Sequence, residues 1–366
     1  MEDLDTRFMR RALELAERGW GRVAPNPMVG AVVVRGGEVV GEGFHREWGS
    51  PHAEVEALEV AGERAKGATL YATLEPCHHG GKTGPCSLAI RDAGISRVVY
   101  AVAESNPAAK GGGAWLRGLG IAVEQGTCEV EAADLNAVHL SVHQRGRPFL
   151  ALKYAMSLDG RLAEAPGRST RLTHGDAIVE AHRLRAGHDA VMVGIGTVLA
   201  DDPLLTVREW DPPRVAPLRV VLDGAFRTPP DSRLVASAHE VPVLILGADD
   251  AEADRARRLQ DAGVRVGRLP RLPSGGLELG AVFATLWESS VRSVLCEGGG
   301  ELGSAWLAAG YVDRIYAFLA PTLLGEPGVP AFQLCRGQAT REWRTVRRSA
   351  LGRVTLLVLA PEAGAA

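Results

Sequence analysis

The sequence predicts two α/β domains in series, dividing near residue 145. Three observations carry this. Apolar runs of strand length alternate with helical patterns along most of the chain. A polar punctuation, RGRP at 145–148, is followed by a fresh strand pattern. The chain has 366 residues, enough for two hydrophobic cores, and its halves share no motif or repeat. The expected domains are therefore 1–145 and 146–366.

Residues 4–18 place Leu4, Phe8, Ala12 and Leu15 at helical spacing. AVVVRGGEVVGEGF reads as a hairpin turning at Gly36-Gly37. Ser50-Pro51 opens a helix running to about Ala65. ATLYATL is a strand, SLAIRDAG a helix and SRVVYAVA a strand, with further alternation to about Glu124 and one helix over roughly 129–144. The sheet of this half should be mixed. In the second half PFLALKYAM, DAVMVGIG, LRVVLDG, VPVLILG, SVLCEGGG and DRIYAFLA are strand-like, most of them separated by helical patterns. Trp210–Pro217 and LPRLPSGG at 269–276 read as loops.

Composition narrows the function. With 46% hydrophobic and 23% charged residues, the chain reads as a globular protein. A net charge of -3 with 5% aromatics gives no footprint for nucleic acid. No apolar run approaches the ~20 residues of a membrane span. The charged, amphipathic N-terminus is unlike a signal peptide, so a reducing cytoplasm is expected. There the five cysteines would be free or metal-bound rather than paired. Lysine occurs only at Lys66, Lys82, Lys110 and Lys153; every other basic residue among the 41 is arginine. Lys82 and Lys153 are thus candidates for sites that need a compact ammonium.

The first half carries P-H-A-E at 51–54, then P-C at 76–77, then Cys86. Two thiolates and one imidazole make three zinc ligands. Structural zinc sites close with four protein ligands, whereas catalytic sites keep a position open. Three ligands favour catalysis, with His78 or His79 still available as a fourth. Glu54 is then spare, and a carboxylate beside activated water can move its proton to a leaving group. Residues two apart share no face in mid-helix, so His52 is expected in the first turn of its helix. Cys86 precedes a helix and Cys77 ends a strand; helix N-termini stabilise thiolates.

This ordered set resembles the zinc nucleobase deaminases, but with eight residues rather than two between the cysteines. NPMVGAVVV, GEGFH, PHAEVEAL and TLEPCHHGGKTGPC resemble the deaminase half of the bifunctional deaminase/reductase of riboflavin biosynthesis. The resemblance implies a cytidine-deaminase-like αβα domain. It implies one catalytic zinc on His52, Cys77 and Cys86, with Glu54 as proton shuttle. Asn26, His45, His79 and Lys82 fall on the family's substrate-contacting positions. Asn26 could instead simply form the turn before Pro27. The family's loop often has serine and proline where this chain has His78 and Gly84, and His78 is expected to be a solvated loop residue.

In the second half, Gly298, Gly300 and Gly303 form G-x-G-x-x-G between a strand and a helix. Such glycines either cradle a phosphate or let helix and sheet pack closely. No acidic residue ends a following strand about 20 residues on, against a conventional dinucleotide fold. LKYAMSLDGR, TVLADDPLLTVR and EGGGELGSA resemble the same family's reductase half. That implies a dihydrofolate-reductase-like α/β domain using NADPH. Met156, Ser157, Arg171, Thr197, Asp201, Gly299, Gly300, Glu301, Leu302 and Gly303 then fall on cofactor positions. Lys153, Ser169, Arg185, Leu205, Arg208 and Glu297 fall on substrate positions. Two arginines suit a ribose 5-phosphate, although in so arginine-rich a chain each could be surface charge. Lys153 would donate a hydrogen bond or proton during ring opening. At 171–173 the family usually reads W-I-T and this chain R-L-T, so arginine would replace the aromatic contact by stacking or by meeting a phosphate.

The resemblance thus implies hydrolytic deamination of a diaminopyrimidinone ribosylamine phosphate, followed by NADPH-dependent reduction of its ribosyl group. A small-molecule substrate, a homo-oligomer, and no nucleic-acid or membrane partner are expected. Two rivals are a nucleic-acid deaminase with a C-terminal binding module, and a scaffold with purely structural zinc.

Overall fold

The structure is a computed structural model and describes residues 3–80, 84–334 and 342–362. Lys82 lies outside the described residues. The chain forms two compact units, Met1–Gly146 and Arg147–Ala366.

The first unit runs α1 (Leu4–Ala16), β1 (Gly30–Arg35), β2 (Glu38–Phe44), α2 (Ala53–Ala61), β3 (Thr69–Leu74), α3 (Cys86–Asp92), β4 (Arg97–Val102), α4 (Gly112–Gly118), β5 (Ala122–Gln125), α5 (Glu129–Leu135) and α6 (Ala137–Arg145). Among the described residues its sheet has the order β2-β1-β3-β4-β5. The β2-β1 and β1-β3 pairs are antiparallel and the rest parallel. Gly36 and Gly37 both have positive φ (60° and 84°), as a two-residue turn matched to strand twist requires. The apolar stripe of α1 (Phe8, Met9, Ala12, Leu15) is buried against Val32, Leu70 and Tyr71. At its rim Asp5 accepts from the Tyr71 hydroxyl (2.6 Å) and pairs with Arg97 at 2.5 Å, tying α1 to β3 and β4.

Two expectations are corrected here. The helix after Pro51 begins at Ala53, and His52 is its extended N-cap (φ -75°, ψ 158°) rather than a first-turn residue. The stretch 129–144 is not one helix, because Asn136 interrupts it. The Asn136 side chain is spent on tertiary contacts: its Oδ1 accepts from Met28 N (2.8 Å) and its Nδ2 donates to Met28 O (2.9 Å). Asparagine is a poor helix former for this reason, since its amide competes for backbone partners.

The second unit runs β6 (Phe149–Ser157), β7 (Arg161–Ala163), α7 (Asp176–Ala186), β8 (Ala190–Gly194), α8 (Ile195–Asp201), β9 (Leu218–Leu222), α9 (Arg233–Ala236), β10 (Val243–Ala248) and α10 (Ala253–Asp261). It continues with β11 (Arg265–Leu269), α11 (Leu279–Glu288), β12 (Ser293–Cys296), α12 (Gly300–Ala308), β13 (Arg314–Ala320), β14 (Val329–Pro330), β15 (Trp343–Leu351) and β16 (Val354–Pro361). Among the described residues the main sheet is ordered β11-β10-β9-β8-β12-β6-β13-β16-β15. It is parallel as far as β13, and β16 and β15 add antiparallel strands. After stepping outward from β8 to β11, the chain returns to insert β12 between β8 and β6. That reversal is the switch point at which open α/β sheets leave a crevice beyond the carboxyl ends of their strands. Among the described residues no helix is long and apolar enough to cross a membrane.

Candidate metal centre and reductase cleft

In the first unit, the N-terminal ends of α2 and α3 meet the segment leaving β3. His52 Nδ1 lies 3.1 Å from Cys86 Sγ and 3.5 Å from Cys77 Sγ, and Cys86 N donates to Cys77 Sγ at 3.4 Å. The three ligand atoms all lie within 4.8 Å of one another. Tetrahedral zinc with bonds of about 2.0–2.3 Å separates its ligands by roughly 3.5–3.8 Å, so this donor set fits the ion. The Cys77 thiol is held well below the usual range because the Cys86 thiol hydrogen-bonds to it, with His52 adding to the effect against the pull of burial. A cation on all three atoms would displace the thiol proton. Cys77→Ser is expected to remove most of an otherwise stoichiometric zinc load, read by metal analysis of the full chain. Unchanged zinc would refute this ligand set.

Glu54 is buried behind the triad in the first turn of α2. Burial pushes its carboxyl up to about 7; the Cys77 charge adds to this and His52 opposes it. At neutral pH such a group both takes and gives a proton. His45 stands edge-on to His52, with ring centroids 5.5 Å apart. Its Nδ1 bonds the Pro51 carbonyl (3.0 Å), so Nδ1 carries the proton. Its Nε2 therefore accepts from Asn26 Nδ2 at 3.0 Å. Burial lowers the His45 pKa and keeps the ring neutral. Asn26 thus joins this hydrogen-bonded group as well as preceding Pro27.

His79 presents a buried Nδ1 that has no hydrogen-bond partner among the described residues. His78 is not a solvated loop residue: its Nδ1 bonds Ser87 Oγ (2.8 Å) and its ring stacks on Trp115 at 4.7 Å. It therefore stands outside the metal triad. Sequence reasoning missed Asn136, whose clamp on Met28 fixes the segment bearing Asn26. It also missed Glu75, which accepts from the backbone of Gly111 and Gly113 and holds the loop carrying Ala109 against both cysteines. An asparagine inside a helical pattern and an acid between a strand and Pro76 were the available signals.

In the second unit a cleft of about 1480 Å³ opens at the switch point. This exceeds the ~300–1,000 Å³ of a pocket for one small ligand. Lys153, Arg185 and Glu297 line one part of it, with Leu205 and Ser169. Thr197, Asp201, Arg171 and the segment Gly299–Leu302 line another. Gly299 faces open space at the start of α12, where the first backbone N–H groups have no helical partners. This cradle fits the pyrophosphate of a dinucleotide.

Four expected contacts do not line the cleft. A Cβ on Gly303 would overlap the Tyr154 hydroxyl, so Gly303 serves helix–sheet packing. Met156 packs against the core. The Ser157 hydroxyl bonds Asp159 at 2.5 Å. Arg208 is exposed beside the cleft, its Nη1 donating to Thr206 Oγ1 (2.6 Å) and its backbone N to His182 Nδ1 (2.9 Å).

The expectation of two free guanidiniums for one phosphate is corrected for Arg185. Its Nε and Nη2 grip Glu297 (2.6 and 3.0 Å), and its Nη1 donates to Thr206 O (3.0 Å). Lys153 Nζ lies 3.7 Å from the same carboxylate. Burial alone would raise the Glu297 carboxyl, but Arg185 and Lys153 hold it down near 2. Leu205 is buried with a strained φ of 55° between these anchors.

The family described as the cytidine and deoxycytidylate deaminase zinc-binding region matches residues 2–102, and the RibD C-terminal domain matches residues 148–357. The riboflavin biosynthesis protein RibD of Aquifex aeolicus is 42% identical over 89% of this chain and 89% of its own. That of Escherichia coli is 41% identical over 88% and 89%. The structure of Acinetobacter baumannii RibD superimposes with a TM-score of 0.82 at 37% identity, covering 98% of this chain and 99% of that one. A diaminohydroxyphosphoribosylaminopyrimidine deaminase/5-amino-6-(5-phosphoribosylamino)uracil reductase of Thermotoga maritima gives 0.81 at 33%, with the same coverage.

Proposed function

Because the chain belongs to the family of the riboflavin biosynthesis protein RibD, we infer that it is a bifunctional deaminase and reductase acting on a small pyrimidine phosphate. It deaminates 2,5-diamino-6-ribosylamino-4(3H)-pyrimidinone 5′-phosphate hydrolytically with zinc. It then reduces the ribosyl group with NADPH to give 5-amino-6-ribitylaminouracil 5′-phosphate. The observation that carries the reading is the His52–Cys77–Cys86 triad with a buried, spare Glu54 in one unit, and a separate cofactor-sized cleft in the other.

Zinc held by the triad supplies Lewis acidity toward water. Glu54 takes a proton from the attacking water and passes it to the departing ammonia. Asn26 and the neutral His45 hold the pyrimidine, and the fixed tautomer of His45 makes its donor and acceptor edges distinct. NADPH supplies the hydride in the second unit. There Glu297, ionised and gripped by Arg185, orients the substrate, and Lys153 stands by to donate a proton as the ribose ring opens.

Arg208 is the candidate reader of the 5′-phosphate. Partial desolvation lowers its pKa most, and the nearby charges of Arg185 and Arg233 add to this, so a dianion here would meet more than one guanidinium. One charge-assisted contact is worth roughly 1.5–3 kcal/mol. Arg208→Ala is therefore expected to weaken reductase substrate binding about ten- to a hundredfold, with NADPH affinity unmoved. The readout is kinetics with phosphorylated and dephosphorylated substrate. Equal discrimination by wild type and variant would remove Arg208 from the phosphate.

Incubation with the pyrimidine substrate, with and without NADPH, tests the whole reading. Without NADPH only the deaminated product should form; with it, the reduced product should follow. Reduction preceding ammonia release would reverse the assigned order. A cytoplasmic setting is part of the same reading, and light scattering reads the expected homo-oligomer.

A further inference from the structure

Eight residues join Cys77 to Cys86, and three of them are glycine: Gly80, Gly81 and Gly84. Glycine loses more backbone freedom than any other residue when a chain is ordered, so this loop by itself holds the two thiols together poorly. Fixed contacts bridge its two ends instead. His78 follows Cys77, and Ser87 follows Cys86. His78 Nδ1 shares a hydrogen bond of 2.8 Å with Ser87 Oγ, and Ser87 is fully buried. Ser87 N donates to Cys77 O at 3.2 Å. His78 N donates to Ala109 O at 3.1 Å, and Ala109 packs with both cysteines.

The His78 ring lies against a platform that the rest of the unit holds in place. It stacks on Trp115 of α4, with centroids 4.7 Å apart and planes at 30°. A Cβ on Gly112 would overlap the Pro76 carbonyl oxygen, so glycine lets the first turn of α4 lie directly on the segment leading to Cys77. Glu75 fixes that approach by accepting from Gly111 N (3.2 Å) and Gly113 N (3.0 Å). From α3, Arg91 carries its guanidinium 5.7 Å over the same Trp115 ring. Both cysteine-bearing segments therefore meet one aromatic side chain. A site ordered in advance does not draw the cost of ordering its loop from the binding energy of its ligand. Resting on the zinc reading above, we propose that His78 is a positioning residue of the metal site: it staples the Cys77 and Cys86 segments together through Ser87 and Trp115, and so raises zinc affinity without being a ligand.

Competition for zinc between the full chain and a chromogenic chelator tests this. His78→Ala should raise the zinc Kd about ten- to a hundredfold, the usual cost of removing a group that supports metal ligands. His78→Phe, which keeps a ring to stack on Trp115 but loses the hydrogen bond, should fall between wild type and His78→Ala. Adding Ser87→Ala to His78→Ala should change the Kd by no more than about twofold, because the two residues share one interaction. The absorption spectrum of the cobalt-loaded protein supplies the second readout. It should be the same for wild type and His78→Ala, since the three ligands stay and only their spacing in the empty site is released. A spectrum altered in His78→Ala would make His78 a ligand and overturn the proposal. So would a folded His78→Ala protein, judged by circular dichroism, whose zinc Kd lies within about twofold of wild type. If His78→Ala does not fold, Ser87→Ala alone carries the same test with the same two outcomes. If wild type binds no zinc, the zinc reading itself fails, and the proposal with it.

Discussion

The Glu54→Gln protein is expected to release ammonia about 10²–10⁴-fold more slowly than wild type, the span a positioned proton-transfer group contributes. Its zinc content should not change. Glutamine keeps the shape of the buried side chain but cannot accept the proton of water. Glu54 stands outside the donor triad, so the metal loses no ligand. Burial is the chief reason its carboxyl sits near 7, and a buried neutral amide meets the same surroundings without that penalty. The variant should still reduce substrate that has already been deaminated. Loss of zinc together with ammonia release would make Glu54 a holder of the metal rather than a mover of protons. Loss of both activities would mean that the reductase depends on the deaminase site.

How much of this was legible in the sequence varies with how local each feature is. Cys77, Cys86, His52 and Glu54 were readable because the chemistry of the ligands restricts residue type, and because each sits at an element end that proline or glycine marks. The parallel core strands were readable as apolar runs, since both of their faces are buried. The C-terminal hairpin was not. β15 reads WRTVRRSAL, and its arginines project from an edge strand whose residues are half-buried or exposed, so no apolar run announces it. The pairing of Arg185 with Glu297 spans 112 positions and leaves no trace in spacing. The same holds for the Asn136 clamp on Met28, 108 positions away. Gly303 shows the limit of a motif. Its place in G-x-G-x-x-G fits a phosphate cradle, yet what requires glycine there is the Tyr154 hydroxyl beneath it.

The Arg185–Glu297 pair carries the other large expected effect. Arg185→Met should destabilise the second unit by about 3–5 kcal/mol, the usual result of stranding a buried charge. Lys153 alone, 3.7 Å away, would face the abandoned carboxylate. The same substitution cuts the Nη1 bond to Thr206 O and frees the strained segment bearing Leu205. The Michaelis constant for the pyrimidine should therefore rise, while NADPH affinity and ammonia release hold. Acid titration supplies an independent check. Glu297 is held near 2 against an unperturbed value of 4.5, so the folded state binds this proton less readily than the unfolded chain. Its contribution is complete above about 4.5 and is lost as pH falls toward about 2. In Arg185→Met the buried carboxyl loses its main counter-charge and its pKa rises, so this segment of acid sensitivity should flatten or reverse. Denaturant unfolding of the second unit, followed by hydrogen exchange between pH 3 and 7, reads both effects. Arg185→Met/Glu297→Met should regain part of the lost stability but none of the reductase activity, because an apolar pair removes the stranded charge without restoring the substrate contact. A single variant as stable as wild type at neutral pH, with an unchanged Michaelis constant, would show that the pair neither carries the fold nor holds the substrate loop.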